Sequence, residues 1–318
     1  MTVRLALLGC GWVADMHARA AAECGATVVG VANHRLEPAA RFASEHGIER
    51  ITTDWQALAS ADDVDAVVVC TPNALHAEQS IAALAAGKHV LCEKPMATTG
   101  ADGEAMLAAA ARHDRLLLVL HPWRHHPAVI AVRDAIAAGE LGRIVRTHSY
   151  GVHADWGPSG WFTDPALAGG GARVDMGIHA IDTARFLLGE PEARRVAASI
   201  TTAHGDYAVD DDGLVLIEWE GGARSVAEFG WWQPHLGGHE ADTEVYGSSG
   251  YRRIWAREQP PGYVHCDVGL FVAQMRDSLG QIAGWHPGTP SPMHGLAALR
   301  ICEQAYAAAA HVPSGHAS

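Results

Sequence analysis

Cysteine is scarce in this 318-residue chain: six residues, at 10, 24, 70, 92, 266 and 302, form no CxxC and no close pair. That excludes a zinc ribbon or a disulfide framework and suits a reducing, cytoplasmic setting. Positive charge is also short. Against 36 Asp and Glu stand 23 Lys and Arg, a net charge of -13, so a basic nucleic-acid surface is not expected. Arg4 interrupts the first apolar run and Gly9 ends it, and no stretch nears the length of a membrane span. Neither a signal peptide nor a membrane partner is expected. Internal repeats are missing, and low complexity is confined to alanine-rich helix faces and a short polar tail.

What is present reads as globular: 48% hydrophobic and 19% charged residues. The length points to two domains. Runs that are apolar throughout, at 3–8, 27–32, 66–69, 88–92 and 116–120, alternate with helical patterns at 12–24, 36–46, 74–86 and 101–113. Such strands, separated by helices, predict a doubly wound parallel sheet over residues 1–121, a Rossmann-type α/β domain. Beyond it come a helix at 127–138, a strand at 143–151 and a glycine-rich stretch leading into a helix at about 176–188. Closely spaced strands at 194–202, 212–219, 223–230 and 242–247, some joined by turns such as Glu220-Gly221-Gly222, predict antiparallel pairing. Helices at 267–283 and 293–310 close the chain. Residues 122–318 therefore read as an α+β domain with a large, open, mainly antiparallel sheet.

Gly9-Cys10-Gly11-Trp12-Val13-Ala14 forms a GxGxxA pattern between the first strand and the first helix. In that context Gly9, Gly11, Trp12 and Val13 are candidates to cradle a dinucleotide pyrophosphate at a helix N-terminus. The alternative is a turn whose glycines only relieve backbone sterics. Where the second strand should end in an acid for the ribose hydroxyls, the chain has Asn33, followed by His34 and Arg35. Loss of the carboxylate removes a repulsion against a 2′-phosphate, and Arg35 could bind one, which favours NADP modestly over NAD. Asn33 can still hydrogen-bond an unphosphorylated ribose, and Arg35 could be an exposed helix-start residue.

The strand at 88–92 ends abruptly in Glu93-Lys94-Pro95. This is either a solvated turn or a catalytic cation at the lip of a cofactor cleft. Ligands of doubly wound sheets sit at the carboxyl ends of strands, which favours the cation, with Glu93 and Pro95 as its mounting. A second cluster is Asp175, His179 and Asp182, four and three residues apart, which share one face if the helix begins at or before Asp175. Histidine can exchange a hydroxyl proton, a carboxylate can orient its ring, and a lysine can stabilise alkoxide character. Asp-x3-His could instead hold a metal with a distant third ligand, or Asp175 could cap the helix while His179 packs. Asp182 reads as structural. In the loop HADWGPSGWF, residues His153, Asp155, Trp156 and Trp161 combine polar groups with flat apolar faces suited to sugar rings. Of these, Trp161 reads as structural and Trp156 equally as substrate contact or interface filler, and Arg124 could bind a hydroxyl cluster or a carboxylate.

Four segments together, GCGWVADMH, TPNALHAEQSIAALAAGKHVLCEKPMA, GGGARVDMGIHAIDTARFLLG and EVYGSSG, resemble the Gfo/Idh/MocA oxidoreductases, which include sugar and inositol dehydrogenases. The resemblance implies a Rossmann domain followed by a domain whose open sheet carries substrate and mediates a homodimer or homotetramer. It makes Lys94 the catalytic lysine and Asp175 and His179 the matching acid and histidine. Thr71, Pro72, Asn73 and His76 would lie along the nicotinamide side of the cofactor, with Glu93 and Lys94 beside it, and the peptide before Pro95 would be cis. Arg124 and Pro127 fit the family's Arg-x2-Pro, whereas Pro122, His125 and His126 depart from it. The implied reaction is NAD(P)-dependent oxidation of a secondary alcohol on a sugar, cyclitol or related polyol, with no metal. Two other functions occur in such folds: a transient-redox glycosidase or lyase with tightly bound NAD, and an NAD(P)-sensing regulator that could dispense with Lys94 and His179.

Overall fold

A computed structural model describes residues 2–153, 158–231, 241–254, 267–284, 288–289 and 291–309. The chain divides into two compact units, Met1–Pro122 with Cys266–Leu296, and Trp123–His265 with Ala297–Ser318. No described helix is long and apolar enough to cross a membrane.

The first unit alternates strands and helices: β1 (Arg4–Leu8), α1 (Trp12–Glu23), β2 (Thr27–Ala32), α2 (Leu36–His46), β3 (Arg50–Thr52), α3 (Trp55–Ala59), β4 (Ala66–Val69), α4 (His76–Ala85), β5 (His89–Glu93), α5 (Gly100–His113) and β6 (Leu117–Leu120). The sheet order is β3-β2-β1-β4-β5-β6, with every pair parallel. Both faces of the central strands are covered, so Leu5 through Leu8 and Ala66 through Val69 are fully buried. Strand order reverses between β1 and β4, and there the chain crowds. Gly9 has φ of +100°, and a Cβ on it would lie 2.5 Å from the Cys70 carbonyl oxygen, so glycine is required. That crowded end of the sheet is where ligands of such folds bind.

The second unit begins with α6 (Pro127–Ala137) and β7 (Ile144–His153), then α7 (Pro165–Ala168), a π-helical segment (Arg173–Gly177) and α8 (Ile178–Leu187). Strands β8 (Ala193–Thr201), β9 (Asp212–Trp219), β10 (Arg224–Trp231), β11 (Ala241–Gly247) and β12 (Tyr251–Arg253) complete a six-stranded sheet in the order β12-β11-β7-β10-β9-β8. Only β7 and β10 pair in parallel. On β9 the period of two is plain: Val215, Ile217 and Trp219 are buried, while Leu214 and Leu216 stand exposed on the opposite face.

Two long helices end the chain, α9 (Val268–Ile282) and α10 (Pro292–Ala309). From the sequence, everything after residue 121 is expected in a second domain. Instead α9 belongs to the first unit, because Phe271, Val272, Met275 and Leu279 make an apolar face that packs with Ala14, Ala18 and Ala21 of α1. Burial of a side chain such as Phe271 is worth about 1.5–3 kcal/mol. The later part of α10 places Ala298, Ile301, Cys302 and Ala305 in the core formed by Ile178, Ile181, Trp219, Phe229 and Trp231.

Candidate active-site residues

In the first unit the glycine loop runs into α1 with Gly11 as its extended N-cap. A Cβ on Gly11 would meet no atom within 4 Å. The loop thus leaves open space over the first turn of α1, a cradle that fits a pyrophosphate. Trp12 is exposed and Val13 half-buried. Past β2, the Asn33 amide donates to the Arg35 carbonyl at 3.0 Å, and His34 and Arg35 are exposed. Burial pushes the Cys10 thiol pKa up, against the pull of the Arg35 and Arg41 charges, so both guanidiniums lie within electrostatic reach of the glycine loop.

The carboxyl ends of β4 and β5 are tied together by His76. Its Nδ1 lies 2.7 Å from the Pro95 carbonyl and its Nε2 lies 2.8 Å from the Thr71 carbonyl. A neutral ring can donate to only one of them. Burial lowers the His76 pKa, opposed by these two carbonyls and by Glu93. His76, expected along the cofactor, thus faces backbone carbonyls with both ring nitrogens and ties into the backbone through whichever nitrogen carries the proton. Thr71 donates through its hydroxyl to Gln79 at 2.6 Å, Pro72 is half-buried and Asn73 is buried.

Glu93 was also expected beside the cofactor. The carboxylate is buried, accepting from His17 Nε2 at 2.7 Å through Oε1 and from the Lys94 backbone N–H at 3.1 Å through Oε2. Burial pushes its pKa up, yet the His17 hydrogen bond, the His17 and Lys94 charges and the Lys94 N–H together hold it below the ordinary value. Glu93 therefore stays ionised, with both oxygens spent inside the protein. His17 escaped the sequence reading. The available signal was a histidine on the apolar face of α1, beside Ala14 and Ala18, which demands a partner. The Lys94–Pro95 peptide is cis. The chain has two lysines. Lys88 is buried with Nζ donating to the Ala61 carbonyl at 2.8 Å, whereas Lys94 is half-buried at the carboxyl end of β5.

In the second unit the π-helical segment carries Asp175 and α8 carries His179. Asp175 Oδ2 takes His153 Nε2 at 3.0 Å and the Trp231 indole N–H at 3.1 Å. His179 stacks on Trp123 with centroids 4.6 Å apart and planes at 22°. All three acidic and imidazole groups are buried. His153, expected in a specificity loop, is thus a partner of Asp175, and Trp231 was not foreseen at all. Among the described residues no group of three His, Cys, Asp or Glu is arranged to hold a metal.

Arg124 requires a correction. Expected to bind substrate, it is 2% exposed and grips Asp182 with two bonds of 2.7 Å and Glu190 with a third of 2.7 Å. Three carboxylate contacts consume its charge, and Asp182 is the structural residue its position suggested. Trp161 is partly exposed and stacks on Phe162, with centroids 3.9 Å apart. Asp155 and Trp156 lie outside the described residues.

Residues 3–121 match the oxidoreductase family with an NAD-binding Rossmann fold, and residues 129–253 match the GFO/IDH/MocA C-terminal domain. The chain is 36% identical to the 1,5-anhydro-D-fructose reductase of Ensifer adhaerens over 71% of its length. That match spans 65% of the reductase, less than two thirds. It is 31% identical to the inositol 2-dehydrogenase of Rhizobium meliloti over 96% of each chain. The structure of a levoglucosan dehydrogenase in complex with NADH and levoglucosan superposes with a TM-score of 0.86, 26% identity and 98% coverage of both chains. The chain belongs to the Gfo/Idh/MocA family of oxidoreductases.

Proposed function

We propose that the protein oxidises a secondary alcohol of a sugar, cyclitol or related polyol, or reduces the corresponding ketone, with NADP used in preference to NAD. The observation that carries this reading is the mount of Lys94. A buried carboxylate holds its backbone N–H, a histidine faces the next carbonyl, and the only other lysine is engaged elsewhere. When bound, NAD(P) supplies the hydride acceptor at nicotinamide C4. Lys94 stabilises the substrate oxygen as negative charge develops there. His179 takes the hydroxyl proton during oxidation and returns it during reduction. Asp175, itself held by His153 and Trp231, orients the His179 imidazole. Arg35, beside Asn33 where an acid would repel it, binds the 2′-phosphate.

The exposed Leu214 and Leu216 support assembly of a homodimer or homotetramer through the open sheet face. The free thiols of Cys10, Cys24, Cys70, Cys92 and Cys302 suit a reducing cytoplasm. The deciding experiment runs a polyol panel with NAD and with NADP, following reduced-nicotinamide absorbance and analysing products. Net reduced cofactor with a ketone product is expected, and Lys94→Ala should lower turnover by about 10²–10³-fold with little change in cofactor binding. Product formation without net reduced cofactor would replace this reading by transient redox chemistry. Intact turnover in Lys94→Ala would remove the lysine from it.

A further inference from the structure

Asp210 belongs to a run of three aspartates and is buried two residues before β9 begins. Its carboxylate reaches 39 and 37 residues back along the chain. Oδ1 accepts from the Gly171 N–H at 2.9 Å and Oδ2 from the Arg173 N–H at 2.8 Å. The Ala172 N–H between them donates to the Asp210 backbone carbonyl at 2.7 Å. Tyr306 of α10 adds its hydroxyl to Oδ1. Three successive N–H groups at the start of a helical segment therefore end on one residue. Such donors are ordinarily met by the residue just before the helix.

The grip is close. A Cβ on Gly171 would lie 1.8 Å from the Asp210 carbonyl oxygen, so only glycine allows the approach. Arg173 lies over the Tyr306 ring at 3.3 Å, buried, with Nε and Nη1 lacking hydrogen-bond partners among the described residues. Its charge balances the buried Asp210 carboxylate without bonding to it.

What this grip holds is unusual. Residues 173–177 are π-helical, and α8 follows without a break. A π turn carries one residue more than an α turn and persists only where its surroundings enforce it. Relaxation to α would rotate the upstream end by about 100° relative to α8. Asp175 sits inside the π turn and His179 in the α-helix beyond it.

We propose that Asp210 is a positioning residue, fixing the register of the π turn so that Asp175 meets His153 and Trp231 at a set angle to His179. This rests on the proposed function for its kinetic arm, but not for its structural arm. The test uses full-length protein with Asp210→Asn, whose amide keeps one acceptor oxygen and turns an NH2 towards the other N–H. Backbone hydrogen exchange over residues 171–177 should accelerate by about tenfold or more. On a substrate from the polyol panel, kcat should fall by about 10²-fold, as for a misplacement of about 1 Å, with the cofactor KM within about twofold. Unchanged exchange over 171–177 in a folded variant refutes the proposal whatever the reaction turns out to be. A lower folded yield with wild-type kcat per folded molecule refutes it as well, because Asp210 would then be only structural. If Asp210→Asn does not fold, Tyr306→Phe decides. Loss of that hydroxyl alone should lower kcat severalfold and loosen 171–177, and a variant unchanged in both overturns the proposal.

Discussion

Replacing Glu93 with Gln tests whether the Lys94 mount depends on a charge. The substitution is nearly isosteric, so the cavity stays filled. One oxygen remains to accept from His17 or from the Lys94 N–H, now 2.7 and 3.1 Å from a carboxylate, and an NH2 faces the other donor. A hydrogen bond to a charged group contributes about 1.5–3 kcal/mol, and a buried donor left facing another donor costs a similar amount. At roughly 2–4 °C per kcal/mol for a domain of this size, the melting temperature at pH 7 should fall by roughly 3–12 °C. The pH dependence sharpens the test. Because the folded-state pKa of Glu93 lies below its ordinary 4.5, its stabilising contribution is fully present above that value. It disappears as pH falls through the lower, folded value. Wild-type stability should therefore drop more steeply in acid than that of Glu93→Gln, and the two melting curves should converge. Turnover should fall by about tenfold, since Lys94 is displaced rather than removed. Melting temperatures that differ equally at pH 7 and in acid would refute the argument, because the carboxylate charge would then contribute nothing.

Three further substitutions separate binding from architecture. Asn33→Asp restores a carboxylate at the end of β2 and should raise the KM for NADP at least about tenfold through like-charge repulsion while sparing NAD. Steady-state kinetics with both cofactors would show a parallel change if Asn33 does not face the ribose. Arg124→Ala leaves the buried Asp182 without its cation, while Glu190 keeps Arg185, and should destabilise the fold by about 3–5 kcal/mol in urea unfolding. An intact fold with a raised polyol KM would return Arg124 to the substrate. Trp231→Phe deletes the donor to Asp175 and also trims a fully buried ring. A stability loss of about 1–3 kcal/mol and a roughly tenfold lower kcat are expected, and wild-type kinetics would show that this bond does not orient Asp175.

The difference between what the chain reveals in one dimension and what it hides follows sequence separation. The parallel sheet is readable because Leu5–Leu8 and Val67–Val69 are apolar on both faces, which only a doubly covered strand tolerates. The three-residue edge strand β3 is not, because Arg50, Ile51 and Thr52 remain half-exposed and carry no period. An amphipathic α9 declares that it packs but not on what, so its return to α1 across nearly the whole chain is invisible. The site divides in the same way. Lys94, Asp175 and His179 sit in compact local motifs, and their residue types alone suggest proton and charge chemistry. The groups that hold them do not: His17 lies 76 residues from Glu93, His153 lies 22 from Asp175, and Trp231 lies 56 from it. Arg124 was misread for the same reason, since its partners Asp182 and Glu190 are 58 and 66 residues away and only they turn a free guanidinium into a buried brace. Chemistry is written locally because the reacting groups must have particular side chains. Their orientation is not, because any residue the fold brings near with a matching donor can supply it, and that is where substitutions should alter turnover without touching a reacting group.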